Sequence, residues 1–259
     1  MQKILIGLGR SVINFIHQFG SLIMLAGSIV RYMPRVFKDR KLVLEQSSLI
    51  GADSLPLVLF IGAFTGAIAA LEATVLFTKF NLIGITRPFL GGSIATAVFT
   101  ELTPVLTALV IAGRVGGGMA AQLGTMCVSE QIDALEMMAI DKARYLAMPR
   151  VVAALIMMPV LAVFSNSIAL LGGYVLTAIK FDFTAFEFFN SVRYYFNINE
   201  IYISLSKSFV FGGLTALIGC WVGFQTTGGA EGVGRSTVRA FTLSAAAILI
   251  VDAIFGYFM

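Results

Sequence analysis

The stretch that decides the fold class is residues 100–150, TELTPVLTALVIAGRVGGGMAAQLGTMCVSEQIDALEMMAIDKARYLAMPR. Its acid, Glu101, lies within an apolar run, and this run leads into a glycine-rich segment with several charged residues. An ionised carboxylate at the centre of a bilayer costs at least ~2.5 kcal/mol on insertion scales, so Glu101 is expected to face a protein interior, a water-filled cavity or a ligand. The pattern indicates a membrane protein with a polar point in its core.

The composition of the whole chain supports the same conclusion. Hydrophobic residues make up 58% of the 259 residues and charged residues only 12%, whereas about a quarter of the residues in a soluble domain are charged. A membrane-spanning helix uses about 20 apolar residues, so the chain has room for roughly five or six helices and for no large soluble domain. We therefore predict one membrane domain over residues 1–259.

The predicted architecture is an all-α integral membrane protein with an N-terminal interfacial amphipathic helix and about five transmembrane helices. Residues 4–30 place apolar side chains at helical spacing and polar side chains on another face, which is typical of a helix in the membrane interface. This helix and a basic connector form segment 1–54, and the transmembrane bundle occupies 55–259. The predicted spans are 55–77, 89–113, 151–179, 205–224 and 241–259.

Two features of these spans predict how the helices pack. Gly62, Gly66 and Ala70 recur every four residues in the first span, and this spacing of small residues lets another helix approach closely. Pro159 lies within the third span, which is longer than a bilayer requires. A kink, a tilt or a protrusion from the membrane is therefore expected at the third span.

The positions of Lys and Arg predict the orientation of the bundle. Segments 1–54, 114–150 and 227–240 hold seven, four and two of these residues, and segments 79–88 and 180–207 hold two and three. Because the more basic side of a membrane protein faces the cytoplasm, the N-terminus is predicted inside and the C-terminus outside. Segment 114–150 is then a cytoplasmic segment, and the aromatic-rich segment 180–203 lies at the outer face.

Glu101 is the main candidate for a functional side chain. It lies about 12 residues, or ~18 Å of helix, into the second span, and Pro104 one turn later removes a backbone donor. The functional interpretation is a carboxylate that contacts a substrate or sets a conformation in a central cavity. The alternative is a carboxylate that Thr100, Thr103 or a neighbouring helix satisfies for packing alone. Glu72, near the outer end of the first span, is more simply an acid that reaches the interface.

Residues 129–138 predict a short amphipathic helix within segment 114–150. Ser129 is a candidate N-cap, and Ile132, Leu135 and Met138 fall on one side of the helix. Such a helix either inserts into a groove of a partner protein or lies as a connector on its own bundle. The spacing leaves both interpretations open.

Motifs for cofactor or catalytic sites are weak in this chain. Residues 229–236, GAEGVGRS, nearly match the phosphate-binding pattern GxxxxGK[ST], but Arg replaces Lys and the segment follows an apolar span instead of a β-strand. A glycine-rich turn explains it better, so any energy from ATP would have to come from another subunit. HExxH, GxSxG and clustered Cys/His sets are missing from the sequence, and we predict no metal site and no cofactor.

Several motifs closely resemble the MlaE/YrbE-type permeases, the membrane subunits of ABC transporters that move lipids together with MCE-domain proteins. The similar segments are ELTPVLTALVIAGRVGGGMAAQLGTM, EQIDALEMMAID, RYL and PRVVAALIMMP, all between residues 101 and 159, with a looser match in GGAEGVGRSTVRA. Thr100 stands where many members of the family have arginine, and Gln122 stands where many have glutamate.

The resemblance implies a function and a set of partners. It implies a permease subunit that moves phospholipid or a related lipid as a homodimer, with a cytoplasmic ABC ATPase below and an MCE-domain protein on the outer face. ATP is then used by the partner subunit, and the chain itself is not an enzyme. The implied location is the cell inner membrane, with a periplasmic C-terminus and no nucleic-acid partner.

The resemblance also implies roles for particular residues. The lipid-contacting residues it implies are Glu101, Thr100, Leu76, Phe77 and Phe80. The ATPase-coupling residues it implies are Glu130, Gln131, Asp133, Ala134, Leu135 and Glu136.

Two other functions remain as alternatives. An ion-coupled secondary transporter or channel would use Glu101 and Glu72 as a proton or cation relay, although the sequence lacks the two repeated halves with broken helices that such transporters carry. A membrane-embedded lipid-modifying enzyme would need a second catalytic group near Glu101.

Overall fold

The computed structural model describes residues 2–79 and 87–258, and the regular structure in these two ranges is helical. The helices are α1 (Gln2–Tyr32), α2 (Arg40–Ile50), α3 (Leu55–Lys79), α4 (Leu90–Val128), α5 (Gln131–Met137), α6 (Ala143–Phe181), α7 (Ala185–Tyr195), α8 (Ile198–Gly223) and α9 (Gly229–Phe258). Within the described ranges, five helical runs are long and apolar enough to cross a membrane: α2 with α3, then α4, α6, α8 and α9. The predicted all-α membrane protein is confirmed.

Helix α4 extends further than its predicted span. We expected a span that ends at residue 113, but the helix continues to Val128. Gly116 and Gly124 of this stretch are contact points with other parts of the chain, because a Cβ on Gly219 of α8 would lie 2.7 Å from the carbonyl oxygen of Gly116. A Cβ on Gly124 would lie 2.8 Å from Oγ1 of Thr226. The predicted cytoplasmic segment 114–150 therefore begins and ends within helices, and residues 129–142 connect α4 to α6.

The glycine-rich segment before the last span is also helical. We predicted a turn there and a span from residue 241, but α9 begins at Gly229. The turn is shorter, and its positive φ angles fall on Gly228 (88°) and Gly229 (69°), where glycine carries no steric penalty. Glu231 and Arg235 then form an ion pair of 3.2 Å one helical turn apart. The third and fourth spans likewise start earlier than predicted, at residues 143 and 198.

The close approach predicted for the first span is confirmed. A Cβ on Gly66 of α3 would lie 1.8 Å from the carbonyl oxygen of Ala169 in α6, and a Cβ on Gly172 of α6 would lie 2.2 Å from that of Ala63. The two backbones are therefore in direct contact, which only small residues allow. Helix α6 runs without interruption through Pro159 and also packs against α2 and α8.

Helix α1 lies against the bundle and is not among the five runs long and apolar enough to span. Leu22 and Leu25 pack against the core, and Nε1 of Trp221 in α8 donates a hydrogen bond of 2.9 Å to Oγ of Ser21. Other apolar side chains of α1, such as Ile23 and Met24, are exposed. An apolar outer face on a docked helix fits the predicted interfacial position.

Helix α7 covers the start of α4 at one end of the bundle. Thr184 and Glu187 form a capping box at its N-terminus. Oγ of Ser191 accepts a hydrogen bond of 3.0 Å from the backbone N–H of Gly92. The predicted aromatic-rich segment 180–203 thus contains a short helix, whose side chains Phe186 and Tyr194 are exposed.

Candidate functional site

Glu101 lies in an irregular turn of α4. Residues Val98–Leu102 form a π-helical turn, and Thr103 begins the next α-helical section with Pro104 in its first turn. Proline has no backbone N–H, so the usual hydrogen bond to a carbonyl oxygen of the preceding turn cannot form. A wider turn before the proline accommodates this missing bond. Such π-turns occur often at functional sites because they re-aim one side chain. The side chain of Glu101 is 50% exposed on the surface of the protomer.

The inner side of the Glu101 carboxylate is bound by a lysine from another helix. Nζ of Lys207 in α8 donates a hydrogen bond of 2.9 Å to Oε1 of Glu101 and another of 2.9 Å to the carbonyl oxygen of Thr100. The same Nζ lies 2.8 Å from Oδ1 of Asp252 in α9, an ion pair whose angles do not make a hydrogen bond. Helices α4, α8 and α9 therefore meet at one charged cluster.

The exposure of the three charged groups is unequal. The Lys207 side chain has no exposure, Asp252 is 18% exposed and Glu101 is 50% exposed. Taking a charge out of water costs several kcal/mol, so the buried ammonium depends on its carboxylate partners. The cluster holds two acids and one base, and the group that reaches the protomer surface most fully is the carboxylate of Glu101.

Sequence reasoning missed two members of this cluster. We counted Lys207 with the basic residues outside the membrane, although it also falls within the predicted span 205–224, and we assigned no role to Asp252. Each is an ionisable residue within an apolar helix, as Glu101 is, and such residues rarely occur there without a partner. The sequence showed that each of these side chains needs a partner, but it did not show which of the three would pair.

The polar surface of α8 continues from Lys207 toward the helix start. Oε1 of Glu200 accepts a hydrogen bond of 3.1 Å from Oγ1 of Thr96 in α4, and Oγ of Ser204 accepts one of 2.9 Å from Nδ2 of Asn166 in α6. Ser204 has no exposure. One side of α8 therefore carries a polar line inside the bundle, and this line ends at the charged cluster.

An open, mostly apolar depression of about 420 Å³ lies on the surface of the same helix as Glu101, nearer to α7. Its lining residues are Phe89, Gly92, Ser93, Thr96, Ala97 and Tyr195. Ser93, Ala97 and Glu101 are exposed at intervals of four residues, so one face of α4 carries small side chains and then the acid. We call this face, residues 93, 97 and 101, the open face of α4. It leads from α7 to the carboxylate.

Comparison with known proteins identifies the family. A family model described as Permease MlaE matches residues 43–258 of the chain. The chain belongs to the MlaE permease family.

Individual relatives of this MlaE permease agree with the family match. The chain is similar to a probable ABC transporter permease protein of Synechocystis sp., with 37% identity over 91% of this chain and 88% of that protein. It is similar to a probable ABC transporter permease protein of Rickettsia felis, with 36% identity over 93% and 92% of the two chains. It is also 33% identical to the chloroplastic protein Trigalactosyldiacylglycerol 1 of Arabidopsis thaliana, over 92% of this chain and 67% of that protein.

These matches establish the class of the molecule. As a member of this family, the chain is the membrane subunit of an ABC transporter and not an enzyme. It crosses the membrane several times and works with an ATPase partner.

The residues implied to contact lipid lie in two parts of the MlaE permease. Thr100 and Glu101 lie together on α4, where the Thr100 carbonyl and the Glu101 carboxylate share Lys207. On α3, Phe77 packs against a core cluster that contains Ile94 and Val98 of α4, and the side chain of Leu76 is exposed. Phe80 lies outside the described residues.

The residues implied to couple to the ATPase form helix α5 and the residue before it. Glu130, Gln131, Asp133, Ala134 and Glu136 are exposed, and Leu135 is partly buried against the core. Ile132, on the inner side of α5, is buried. Helix α5 therefore rests on the bundle by one side and presents the other side, including the fully exposed Met137, to its surroundings.

The start and end of α5 differ from our prediction. The residue that precedes the helix is Glu130, with a left-handed φ of 59°, whereas the Ser129 hydroxyl donates to the carbonyl oxygen of Thr125 in α4. Ser129 is therefore not the N-cap, because the chain turns sharply at Glu130 before the helix begins. Met138 falls after the end of the helix and is exposed, so it does not share the buried side with Ile132.

Contacts between α1 and the segment after α5 bring two distant parts of the chain together. Oη of Tyr32 donates a hydrogen bond of 2.6 Å to Oδ2 of Asp141, and the Arg144 guanidinium pairs with the carboxylate of Asp39 at 3.1 Å. Lys142 pairs with Glu136 at 2.8 Å. The connection that carries α5 is thus held to the end of α1 and to the connector that follows it.

The hydrogen bond between Tyr32 and Asp141 shifts both pKa values. It raises the pKa of the Tyr32 phenol, because the nearby carboxylate opposes a second negative charge. Partial burial works to raise the pKa of Asp141, but the hydrogen bonds from Tyr32 and from the backbone N–H groups of Ala143 and Arg144, together with the charge of Lys142, outweigh it. The pKa of Asp141 is therefore lowered.

Proposed function

We propose that this permease moves phospholipid or a related lipid between membranes, together with an MCE-domain protein. Two copies of the chain form a homodimer around a central cavity that takes up acyl chains, and Glu101 marks the polar end of this cavity. The observation that carries the proposal is a half-exposed carboxylate in an apolar helix.

The exposure of Glu101 argues for a covered surface around it. A carboxylate that faced lipid tails would cost at least ~2.5 kcal/mol on insertion scales, and Lys207 covers only its inner side. The remaining side therefore requires water, a ligand or another protein surface. A second copy that encloses a cavity supplies all three, and the small residues of the open face of α4 leave space for it.

The proposed lipid substrate rests on the shape and chemistry of the site and on the resemblance of its motifs. Acyl chains need an apolar wall, and exposed apolar side chains such as Leu76 on α3 offer one. One relative, the Arabidopsis protein, carries a glycolipid in its name. These features support lipid as the cargo more than they support a polar solute.

In the proposed mechanism the permease performs no covalent chemistry and holds no cofactor. ATP is hydrolysed by the partner subunit, which docks on the exposed side of α5 between Glu130 and Glu136. Movement of α5 is passed to the bundle through Ile132 and Leu135, which pack against the core. A change in the positions of the surrounding helices then alters the affinity of the cavity for lipid.

The proposed location is the cell inner membrane, with the N-terminus in the cytoplasm and the C-terminus in the periplasm. The count of basic residues placed Lys207 on the outer side of the membrane. Because Lys207 is buried between helices, it no longer counts there, and the excess of basic residues on the cytoplasmic side becomes larger. The α5 end of the bundle then faces the ATPase, and the α7 end faces the MCE-domain protein.

The ion-coupled alternative has less support. Oε1 of Glu101 already accepts a hydrogen bond from Lys207, and Glu72 is exposed on α3. The relatives that the chain resembles are named ABC transporter permeases, whose energy comes from ATP.

Lipid binding by Glu101 variants tests the proposed function. We expect Glu101→Ala and Glu101→Lys to reduce the lipid that co-purifies with the protein, measured by native mass spectrometry, and to reduce ATP-dependent lipid transfer between liposomes. Glu72→Ala removes an acid from another apolar helix and serves as the matched control. Unchanged lipid occupancy and transfer in both Glu101 variants would remove Glu101 from the site.

Purification from native membranes tests the proposed partners. We expect an ATPase subunit and an MCE-domain protein to co-purify with the chain. We also expect Ala97→Cys, on the open face of α4, to cross-link two copies. Recovery of the chain alone, with ion-driven transport after reconstitution, would favour the alternative function.

A further inference from the structure

We infer that the Glu101 site selects lipids by headgroup charge, and that it binds a headgroup carrying an ammonium group in preference to a headgroup with net negative charge. This inference rests on the proposed lipid-binding function and adds the chemical class of the preferred lipid. It follows from which charges of the cluster are exposed and which are covered.

The charge that a ligand meets at this site is negative. Half of the Glu101 side chain is exposed, whereas the Lys207 side chain has no exposure at all. The attraction between two charges falls with distance and with screening, so an exposed group in direct contact outweighs a covered one. A headgroup beside Glu101 therefore interacts mainly with a carboxylate.

The ammonium of Lys207 makes its contacts inside the protein. Its Nζ donates hydrogen bonds to the Thr100 carbonyl and to Oε1 of Glu101, and Oδ1 of Asp252 lies 2.8 Å from it as an ion-pair partner. Because the Lys207 side chain has no exposure, its ammonium does not reach the phosphate of a ligand. An ionised carboxylate has about four acceptor positions, of which Lys207 occupies one on Glu101. The site is thus ready to accept hydrogen bonds from a cation.

The net charge of the cluster also favours a headgroup that carries an ammonium group. Lys207 stands between two carboxylates, those of Glu101 and Asp252, so the three ionised groups together carry one negative charge. A further phosphate or carboxylate would add like charge in a region of low dielectric constant, where repulsion is strong. An ammonium group would neutralise the cluster instead.

The open face of α4 provides a route for the headgroup. The open depression of about 420 Å³ is lined partly by Ser93 and Ala97, and Ala97 is four residues before Glu101. Small side chains on this face leave room for a lipid beside the helix. A lipid that lies along this face can place its apolar part against the mostly apolar depression and an ammonium group against the Glu101 carboxylate.

Competition between lipids with identical acyl chains tests the inference. The full chain, purified with its partners, is exposed to nanodiscs that contain equal amounts of phosphatidylethanolamine, phosphatidylcholine and phosphatidylglycerol, and bound lipid is quantified by native mass spectrometry. We expect roughly tenfold enrichment of phosphatidylethanolamine over phosphatidylglycerol, the scale of a hydrogen bond to a charged group. Phosphatidylcholine, whose quaternary ammonium has no N–H and is attracted by charge alone, should be enriched less. Glu101→Gln, which keeps the shape of the side chain, should abolish the enrichment.

Two variants keep the result interpretable. Glu101→Asp retains the charge and should retain the preference, which separates loss of charge from loss of folding. Glu72→Gln removes the same charge from another apolar helix and should also retain it. Free ethanolamine at the concentration of the lipid should not displace bound lipid, and displacement would assign the site to small amines instead.

The possible failures are distinct. Equal binding of the three lipids by the wild-type protein, or a preference that persists in Glu101→Gln, would overturn the headgroup inference and leave the proposed lipid transport standing. A wild-type protein that binds no lipid at all would overturn the proposed function itself.

Discussion

Nζ of Lys207 lies 2.9 Å from Oε1 of Glu101, yet the lysine is fully covered and half of the glutamate side chain is exposed. The ion pair therefore has an inner, cationic side and an outer, anionic side. The inner side ties α4 to α8 and α9 through Asp252. The outer side is exposed on the protomer, and it is the side that our proposed function assigns to the ligand.

The inner side of the ion pair predicts a large effect for loss of the lysine. Lys207→Met leaves the carboxylates of Glu101 and Asp252 without their shared partner, and breaking a buried ion pair costs about 3–5 kcal/mol. We expect a marked decrease in the Tm of the detergent-purified protein. Lys180→Met, at an exposed lysine of α6, is the matched control and should leave Tm unchanged.

Coupling within the cluster provides a second measurement. Adding Glu101→Gln to Lys207→Met removes one of the two unpaired charges, so the double variant should be more stable than Lys207→Met alone. Additive losses of stability in the two variants would contradict the assigned ion pair.

The contact between α3 and α6 predicts sensitivity at Gly66. A Cβ there would lie 1.8 Å from the carbonyl oxygen of Ala169, so Gly66→Ala forces two backbones apart and should lower Tm strongly. At Gly118 of α4 no atom lies within 4 Å of the added Cβ, and Gly118→Ala should be neutral or stabilise the helix by roughly 0.5–1 kcal/mol. Equal effects of the two substitutions on Tm would contradict this packing.

Substitutions on the two sides of α5 should have different effects: on coupling to the ATPase at the exposed side, and on stability at the buried side. Ala134 is exposed, so Ala134→Arg should leave Tm unchanged. Because it alters the proposed docking surface, it should reduce the rate of ATP hydrolysis by the assembled transporter. Ile132 is buried, and Ile132→Ala should destabilise the protein by about 2–5 kcal/mol. A loss of Tm in Ala134→Arg, or normal ATPase activity in that variant, would place the docking surface elsewhere.

The hydrogen bond between Tyr32 and Asp141 predicts a pH-dependent contribution to stability. The pKa of Asp141 is lowered from 3.8, so its contribution is present above that value and is lost as the pH falls through the lowered pKa. The pKa of Tyr32 is raised from 10.0, so its contribution is present below that value and is lost as the pH rises through the raised pKa.

Tyr32→Phe tests this dependence. We expect a small decrease in Tm at neutral pH that becomes smaller in strong acid, where Asp141 is protonated in both proteins. Tyr145→Phe, at a tyrosine that lines the same surface pocket as Tyr32 and Asp141, is the control and should leave Tm unchanged. A decrease in Tm that is independent of pH would point to lost packing instead of the hydrogen bond.

Much of the fold was predictable because its signals are local. The five apolar runs each exceed the length that a bilayer requires. The spacing of Gly62 and Gly66 predicted a close contact with another helix, and the structure confirms it. The helix ends were less predictable. The glycines at 116–118 and 229–234 resemble turn residues in the sequence, but all of them lie within helices, where Gly116 and Gly117 contact neighbouring helices and Gly229 begins the last helix.

The candidate site was only partly predictable for a related reason. Glu101 was identified because an acid in an apolar helix needs a partner, but nothing local names that partner. Lys207 and Asp252 lie far from it along the chain, and only the packing of α4, α8 and α9 brings them together.

About five membrane crossings can be read from the amino-acid sequence, because hydrophobicity and length are properties of each segment alone. The need of Glu101 for a polar environment can be read there too. The packing of the helices shows that Lys207 covers one side of the Glu101 carboxylate and that half of the side chain stays exposed. Contacts between distant helices depend on how their surfaces fit, and that fit is a property of the whole bundle.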